Sequence, residues 1–478
     1  MRIQWLIGGL LTLAATALLA RPALADDQLP PAVAQALRVA GVSTSHVAIV
    51  VQEVSAPRPS LAVNPGLAMN PASTMKLVTT YAGLELLGPA YRWRTEALLG
   101  GPLRDGLLDG DLTIKGGGDP KLTLEAFWML LRSMRERGLR EIRGDLVLDR
   151  SLFDVGEYDP SRFDGEALRP YNVGPDALLI NYKSIRFRFW TDPARGVARV
   201  SAEPPLVEVF GALRLGEGAC GDWRERLKAE FQPQMPAPRA VFAGSYEASC
   251  GERDWHVALL APNEYAGALF RQLWGELGGR LAGGTRDGTL PAARARDIKA
   301  FAFVESPTLA EVVRDINKFS NNVMARQLYL TIAAEQAGSP ARTESAQRVI
   351  KAWLARKGLD FPELVIENGA GLSRIERISA QNLTALLVSA FRSPVMPELA
   401  ASLPLIAVDG TMRRRLKNDS VAGQAHIKSG TLSDVRAIAG YVLDRSGRRH
   451  AVTMIVNHPN APQTQAAQDA LLNWVYAR

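Results

Sequence analysis

The sequence predicts an α+β fold in which an antiparallel sheet flanked by helices is interrupted by a large inserted β-rich domain. Three observations lead to this prediction: β-rich runs at both ends of the chain, helical patterns beside them, and a long middle part in which short apolar runs alternate with Gly, Pro and Asp turns. We expect 26–95 and 300–478 to form one domain and 96–299 to form the insertion. With 478 residues, of which 47% are hydrophobic, the chain is long enough for two or three cores.

The first 25 residues have the pattern of a secretory signal peptide. Arg2 precedes an apolar run over 5–20, and the small residues Ala23 and Ala25 offer a cleavage site. The run is short for a membrane span, and an uncleaved anchor is the alternative. Cleavage would remove two arginines and no acid from a chain of net charge +7, so the exported protein stays basic. A basic protein suits an anionic cell-wall polymer or a membrane surface.

The remaining composition argues against several kinds of chemistry. The only two cysteines, Cys220 and Cys250, are expected to form one structural disulfide in an exported chain, so a cysteine nucleophile is not expected. The five histidines show no metal-ligand spacing, and we expect neither a metal nor another cofactor. The chain has no Gly-x-Ser-x-Gly elbow and no P-loop, and the glycine-rich stretch 115–120 reads as a turn. Neither a nucleic-acid partner nor a stable membrane span after signal cleavage is expected.

The N-terminal part is expected to form a helix over 30–42 and a hairpin of two strands, 46–54 and 60–64. In the middle part, strands are expected at 112–114, 145–148 and 184–189, and helices over 124–137 and 262–277. A strand over 298–304 is expected to return to the first domain. Further helices are expected over 308–317, 321–335 and 344–359, and from a cap at Ser379 to Phe391.

The C-terminal part shows a clear antiparallel pattern. Strands are expected over 424–429, 437–444 and 451–457, followed by an amphipathic helix over 463–476. Asp469 and Asn473 in that helix, and its lack of a basic face, favour packing on the sheet over a membrane anchor. The first sheet should therefore contain strands from both ends of the chain.

The stretch from Asn70 to Lys76 is the centre of the functional prediction. Ser73 would lie in the first turn of a helix over 77–87, where free N–H groups and the helix dipole favour negative charge on a reacting oxygen. Lys76 shares its helix face, and a desolvated ammonium near another cation falls in pKa until it acts as a base. Alone this pattern is weak evidence, because a capped helix with a solvated lysine gives it as well.

Two further motifs, Ser320 to Asn322 and Lys428 to Thr431, strengthen the prediction. Each pattern occurs once, and the order Ser-x-x-Lys, Ser-x-Asn, Lys-(Ser/Thr)-Gly is that of β-lactamases and penicillin-binding proteins. About half of the chain separates Ser73 from Ser320. This spacing resembles the low-molecular-mass class C penicillin-binding proteins, the D-alanyl-D-alanine carboxypeptidase/endopeptidases. The resemblance implies a serine β-lactamase/DD-peptidase-like transpeptidase domain that carries the insertion between its first two motifs.

Further stretches resemble that family along almost the whole mature chain: Asp111-Leu112, Gly117-Gly118-Asp119-Pro120, Gly371-Leu372-Ser373-Arg374, Asp409-Gly410-Thr411 and Ala439-Gly440-Tyr441-Val442. Three positions depart from its pattern. Ser429 replaces the commoner threonine, Asn368-Gly369-Ala370-Gly371 replaces Asp-Gly-Ser-Gly, and Arg326 stands where an acidic residue is usual. These departures concern the shape of the pocket rather than the chemistry.

The resemblance implies a role for each motif residue. Ser73 would be the acylated nucleophile and Lys76 its general base. Ser320 would relay the proton to the leaving amine, with a helix N-cap as the structural alternative, and Asn322 would orient Lys76 or the substrate amide. Lys428 would hold Lys76 neutral and attract the C-terminal carboxylate of the substrate.

The remaining implied roles concern substrate binding. The hydroxyls of Ser429 and Thr431 would bind the carboxylate, and the N–H groups of Ser73 and Thr431 would form the oxyanion hole. Glu166, Tyr171 and Arg374 are candidates for a side-chain pocket, although Glu166 could equally be an ordinary surface carboxylate. The triplet 413–415 is expected to be a solvated face rather than a wall-binding patch.

The function implied is that of a periplasmic serine DD-peptidase of peptidoglycan. It would expel D-alanine from a stem peptide (carboxypeptidase), the amine of a D-Ala-diaminopimelate cross-link (endopeptidase), or both. β-Lactam antibiotics, whose strained amide mimics the D-Ala-D-Ala bond, would acylate Ser73. The alternatives are a serine β-lactamase, for which the sequence offers no water-activating motif, and a non-catalytic cell-wall-binding scaffold.

Overall fold

A computed structural model describes residues 28–234, 237–289 and 299–478. The signal peptide expected over 1–25 lies outside the described residues. The α+β architecture is confirmed, with an antiparallel sheet and its helices formed by the two ends of the chain and a β-rich middle part. Within the described ranges, no helix combines the length and the apolarity that a membrane crossing requires.

The described α-helices are α1 Pro31–Val39, α2 Lys76–Leu87, α3 Leu124–Glu136, α4 Pro262–Glu276, α5 Leu309–Lys318, α6 Asn322–Ala337, α7 Thr343–Arg356, α8 Ala380–Phe391, α9 Met396–Ser402 and α10 Gln465–Tyr476. The strands are β1 Val47–Glu53, β2 Leu61–Val63, β3 Ala68–Met69, β4 Arg94–Leu99, β5 Leu103–Arg104, β6 Leu107–Leu108, β7 Leu112–Lys115, β8 Glu141–Ile142, β9 Leu146–Asp149, β10 Ile185–Asp192, β11 Val197–Glu203, β12 Glu208–Phe210, β13 Leu213–Gly216, β14 Leu227–Gln232, β15 Arg239–Glu247, β16 Arg253–Val257, β17 Arg280–Leu281, β18 Thr285–Asp287, β19 Ala302–Glu305, β20 Ile378–Ser379, β21 Ala425–Thr431, β22 Val435–Leu443 and β23 Arg449–Asn457.

The first sheet joins the two ends of the chain in the order β2-β1-β23-β22-β21, with every neighbouring pair antiparallel. Its central strands are nearly continuous apolar runs because both faces are covered. Ile49 and Val51 of β1 pack in one core with α1 and α10, whereas Ala48 and Val50 pack in another with the start of α8. Alternate side chains of a strand point to opposite faces, so a single strand serves both layers.

Strand β21 is the edge of this sheet. Ile427 N donates to the Pro404 carbonyl at 2.8 Å, and Ile406 N donates to the Ala425 carbonyl at 2.9 Å. Because the backbone groups of alternate strand residues face the same side, those of Ser429 and Thr431 also face away from β22. The main-chain groups of these two residues are therefore available to a ligand that lies beside the edge strand.

The middle part forms a five-stranded sheet, β18-β9-β7-β4-β19, a seven-stranded sheet built around β10 and β15, and a four-stranded sheet, β17-β8-β6-β5. Strand β19 falls where the sequence predicts a strand, but it pairs with β4 rather than with the first sheet. The expected return of that strand to the first domain is therefore wrong, because β19 completes the sheet that β4 begins. The chain re-enters the helical layer only at α5.

The expected disulfide is present between Cys220 and Cys250, which lie 30 residues apart. Cys250 is buried in the same core as Trp223 and Tyr246. A bridge across a loop of this length removes about 3–4 kcal/mol of conformational freedom from the unfolded chain. Replacing both cysteines by serine should therefore lower the free energy of unfolding of the inserted sheets by about this amount, and with it their urea midpoint.

Trp223 and Trp255, which lie in contact in this core, provide a fluorescence signal for that unfolding step. Wild-type protein unfolded under a reducing agent is the matched control, and it should give the same lowered midpoint. An unchanged midpoint in both samples would show that the bridge adds nothing to stability.

Candidate active site

Ser73 lies in a 3₁₀ turn, Ala72–Met75, that runs directly into α2. The predicted position in a first helical turn is thus found in a tighter turn just before the α-helix. Asn70 fixes this turn, because its side-chain oxygen accepts from Ala72 N at 2.9 Å and its Nδ2 donates to the Ser373 carbonyl at 2.8 Å. The following residues of α2 are buried, so the turn is anchored in the helical core.

Lys76 begins α2 and is completely buried. Its Nζ lies 2.9 Å from Ser73 Oγ and 2.6 Å from Asn322 Oδ1, and it also donates to the Ala370 carbonyl. A neutral amine has two N–H donors and one lone pair. The two fixed acceptors, Asn322 and Ala370, take both N–H donors and leave the lone pair directed to the serine hydroxyl.

The surroundings of Lys76 favour this neutral form. Burial lowers the pKa of Lys76 well below its ordinary value, and the charges of Lys428 and Arg326 lower it further, while Glu376 opposes them. Burial also lowers the pKa of Lys428, to about 7. Arg326, a buried arginine, follows Asn322 by one helical turn on α6 and keeps its charge at every relevant pH.

Ser320 lies between α5 and α6 with a left-handed φ of 56°, a conformation that a serine adopts only when its surroundings hold it there. Lys428 Nζ donates to Ser320 Oγ at 2.9 Å and to the Ser429 carbonyl at 2.8 Å. The N-cap alternative for Ser320 is wrong, because the cap of α6 is Asn321, whose side chain accepts from Met324 N at 3.0 Å.

The motif residues open into one cleft of about 430 Å³. It is lined by Ser73, Ser320 and Asn322 on one side and by Ser429, Gly430 and Thr431 of β21 on the other. Gly430 allows the strand to approach, because a Cβ there would lie 2.7 Å from the Pro71 carbonyl and 3.1 Å from Ser73 N. The edge of the sheet is thus packed directly against the turn that carries Ser73.

The candidates for a side-chain pocket do not all lie at this cleft. Tyr171 lines it, but Glu166 and Arg374 do not. Glu166 is an exposed carboxylate paired with Arg169 at 3.1 Å in its own loop. Arg374 pairs with Asp434 at 3.2 Å, and its guanidinium lies 4.5 Å from the ring centroid of Phe163. Glu166 and Arg374 are therefore not among the described residues that line this cleft, and their assignment to a side-chain pocket stays a prediction.

Several residues of the site were missed by the sequence analysis. The acceptor at Ala370 is a backbone carbonyl, which no side-chain pattern reveals. Arg326 was noted only as a departure from the family pattern, and its place beside Lys76 could have been predicted, because a residue four positions after Asn322 on a helix shares its face. Thr411 was noticed only as part of a motif, and its hydroxyl lies 2.8 Å from that of Ser429. Arg436 and Gln468 also line the cleft and carried no motif.

Residues 30–477 match the family described as the D-Ala-D-Ala carboxypeptidase 3 (S13) family. The chain belongs to the S13 family. This confirms the family predicted from the motifs, and the protein is a serine-type D-Ala-D-Ala carboxypeptidase, a DD-peptidase of peptidoglycan.

Relatives support this assignment of the S13 enzyme. This chain is 29% identical over 412 residues to a D-alanyl-D-alanine carboxypeptidase of Actinomadura sp. (strain R39), and the match covers 84% of this chain and 75% of the relative. It is 22% identical over 418 residues to D-alanyl-D-alanine carboxypeptidase DacB of Haemophilus influenzae, covering 86% of this chain and 85% of the relative.

The S13 enzyme also shares its fold with solved structures. Penicillin binding protein 4 (dacB) from Haemophilus influenzae superposes with a TM-score of 0.78 at 21% identity, covering 93% of this chain and 99% of that one. The same Haemophilus protein complexed with a β-lactam gives a TM-score of 0.74 at 22% identity, with the same coverage of both chains.

Proposed function

We propose that this enzyme cleaves the D-Ala-D-Ala bond of stem peptides, the D-Ala-diaminopimelate bond of cross-links, or both, through an acyl-enzyme on Ser73. The observation that carries the proposal is the position of the buried Lys76 amine, 2.9 Å from Ser73 Oγ, with two oxygen acceptors for its N–H groups. A serine hydroxyl is a weak nucleophile until a base is placed beside it. Here the base is held in contact and kept uncharged.

In the acylation step, Ser73 Oγ attacks the substrate carbonyl while its proton passes to Lys76 Nζ. The developing oxyanion is bound by the N–H groups of Ser73 and Thr431, which the close approach of β21 brings to the same cleft. Each such donor contributes about 3 kcal/mol of transition-state stabilisation. Asn322 keeps the Lys76 amine beside Ser73 Oγ during the proton transfer, because its side-chain oxygen accepts a hydrogen bond from Lys76 Nζ.

The C–N bond then breaks, Ser320 donates its hydroxyl proton to the leaving amine, and the proton that Lys76 took from Ser73 passes to Ser320, so that Lys76 is neutral again. Lys428 donates to this hydroxyl at 2.9 Å and so keeps it directed into the cleft. The hydroxyls of Ser429 and Thr431 bind the carboxylate of the leaving group. In the second half-reaction water attacks the ester, Lys76 again takes the proton, and Ser73 is regenerated.

The cell compartment and the domain roles complete the proposal. Residues 1–25 would direct the chain to the periplasm, where the stem peptides are found. The transpeptidase domain, 26–95 and 300–478, would carry the chemistry, and the insertion, 96–299, would contribute Tyr171 to the wall of the cleft. β-Lactams would acylate Ser73 and leave slowly, because the opened ring keeps its amine attached to the acyl group.

Mass spectrometry tests this function directly. Purified enzyme is incubated with a pentapeptide stem and, separately, with cross-linked muropeptide dimers. Release of D-alanine reports carboxypeptidase action, and conversion of dimers to monomers reports endopeptidase action. A penicillin adduct should map to the proteolytic fragment that contains Ser73. Rapid turnover of the penicillin would favour a β-lactamase, and the absence of both adduct and cleavage would favour a scaffold.

The pH dependence of kcat/KM should be bell-shaped. The rising limb reports loss of the proton from Lys76, whose pKa is held far below its ordinary value by burial. The falling limb reports Lys428, which carries its charge below a pKa of about 7 and loses it above that pH. Since kcat/KM reports the free enzyme, steady-state rates with a pentapeptide from pH 4 to 10 measure both limbs. A profile that stays flat from pH 6 to 8 would contradict the requirement for a charged Lys428.

A further inference from the structure

The polar residues at one end of the cleft are hydroxyls, amides and cations. Beyond Ser429 the lining continues with Thr411, Arg415, Arg436 and Gln468, which we call the donor compartment. Among the described residues that line the whole cleft, none is an aspartate or glutamate. Asp469 pairs with Arg415, whereas no described carboxylate lies within ion-pair distance of Arg436, so the compartment holds one cation whose charge is not balanced locally.

Arg436 is the first unusual member of the compartment. It lies on β22 directly opposite Thr431, and opposed side chains of an antiparallel pair lie on the same face. Its Nη1 donates to the carbonyls of Leu432 at 2.8 Å and Val435 at 2.9 Å. No described carboxylate pairs with it, and its Nε and Nη2 have no hydrogen-bond partner in the described chain. The guanidinium is thus held in place by the turn, with one edge left for a ligand.

Gln468 on α10 is the second unusual member of the donor compartment. It is 2% exposed, and its Oε1 accepts from Arg415 Nη1 at 3.2 Å. This bond fixes the orientation of the amide, so the free end is Nε2, which is buried and has no partner among the described residues. Arg415 is itself held by Asp469, with Nε 3.0 Å from Oδ1. A buried donor without a partner is unfavourable, and an incoming acceptor would remove that cost.

We propose that Arg436 and Gln468 bind a carboxylate of the leaving group, on the far side of the scissile bond from the acyl chain. The inference rests on the proposed function and adds two specificity residues to the motif hydroxyls of Ser429 and Thr431. A carboxylate matches the compartment because it is a planar anion with two acceptor oxygens, which a guanidinium edge binds in a bidentate manner. The C-terminal D-alanine and the D-centre of a cross-linking diamino acid both offer this group beside the bond that breaks.

The test compares two substrates that differ only in this group. Diacetyl-L-Lys-D-Ala-D-Ala and its C-terminal carboxamide are hydrolysed by wild type, R436Q, R436K and Gln468→Leu, and kcat/KM is measured for each pair. R436Q should lower kcat/KM for the acid by about 10- to 100-fold, the range for a lost charge-assisted hydrogen bond, and leave the amide within about twofold. R436K should recover part of the loss, and Gln468→Leu should lower the acid rate by about 3- to 10-fold. Arg414→Gln, an exposed neighbour outside the compartment, is the matched control and should change neither rate.

The outcomes separate the inference from the function on which it rests. If wild type hydrolyses the acid but R436Q slows acid and amide equally, Arg436 is a structural residue and the inference fails alone. The same holds if R436Q changes neither rate. If wild type releases no D-alanine and no adduct forms on Ser73, the proposed function fails and the subsite fails with it. Thermal unfolding of each variant shows that the comparison is made on folded protein, and the arginine variants, at exposed or half-buried positions, are expected within about 2 °C of wild type.

Discussion

Ser73→Ala is expected to abolish both the penicillin adduct and the release of D-alanine. The turnover rate should fall by about a million-fold, the range seen when the nucleophile of a serine hydrolase is removed. The physical reason is that Lys76, although in contact with Ser73 Oγ at 2.9 Å, would then have no hydroxyl to activate. Fluorescent penicillin on a denaturing gel and D-alanine release measure the two effects.

The structure offers a matched control for this substitution. Ser45 is an exposed serine in the turn before β1, and Ser45→Ala should leave labelling and turnover unchanged. The Ser73→Ala protein should also unfold at the wild-type temperature, because alanine occupies the same turn without strain. Residual labelling of Ser73→Ala at the wild-type rate would place the nucleophile elsewhere and overturn the mechanism.

Replacing Lys76 by methionine should lower the acylation rate by about 10²- to 10⁴-fold, the usual contribution of a positioned general base. Stopped-flow measurement of β-lactam acylation gives this rate without interference from deacylation. The rising limb of the pH profile should disappear in this variant, because the group that titrates there has been removed. Lys228→Met, at an exposed position of the insertion, should alter neither the rate nor the profile.

The same substitution should change how the melting temperature depends on pH. The pKa of Lys76 is depressed in the folded state, so the unfolded chain binds a proton that the folded chain does not hold at neutral pH. Folding therefore carries a cost that grows as the pH falls below the ordinary pKa of lysine, and methionine removes it. The loss of the donor to Asn322 and Ala370 shifts the stability of the variant by the same amount at every pH, so an unchanged pH dependence of the melting temperature would contradict this account of Lys76.

The architecture was predictable because the strongest signals are local. Alternating and apolar runs at both ends of the chain predicted the strands that pair across the first sheet, and Ser379 caps α8 as expected. The pairing of β19 with β4 was not predictable, because a short apolar run carries no information about which strand it joins. The order of the strands in the sequence favoured a return of β19 to the first domain. In the structure its hydrogen bonds to β4 make it the edge of a sheet of the middle part instead.

The motif residues were predictable for a similar reason, since Ser73 and Lys76 need only helical spacing to meet. The other residues that form the wall of the cleft were not predictable from the sequence. Glu166 had the right chemistry for a side-chain pocket, but a nearer arginine satisfies it at the surface. The 413–415 triplet was read as a solvated face, and this is wrong for Arg415, whose side chain is 13% exposed and paired with Asp469. The ion-pair partner of such a side chain is the opposite charge that folding brings closest to it, and the sequence alone does not give that distance.

The edge strand β21 has a consequence for self-association. An unpaired strand edge is a template on which a second copy of a chain can add and begin to aggregate. Here the segment around Pro404 already occupies the edge at Ile427, and the strand ends at Thr431, so within the described chain only Ser429 and Thr431 direct main-chain groups to the open part of the edge, and the Ser429 carbonyl already accepts from Lys428. That length admits a short extended peptide but is too brief to zip up with a neighbouring molecule. The part of the edge that receives substrate is therefore too short to serve as a template for strand addition between two molecules.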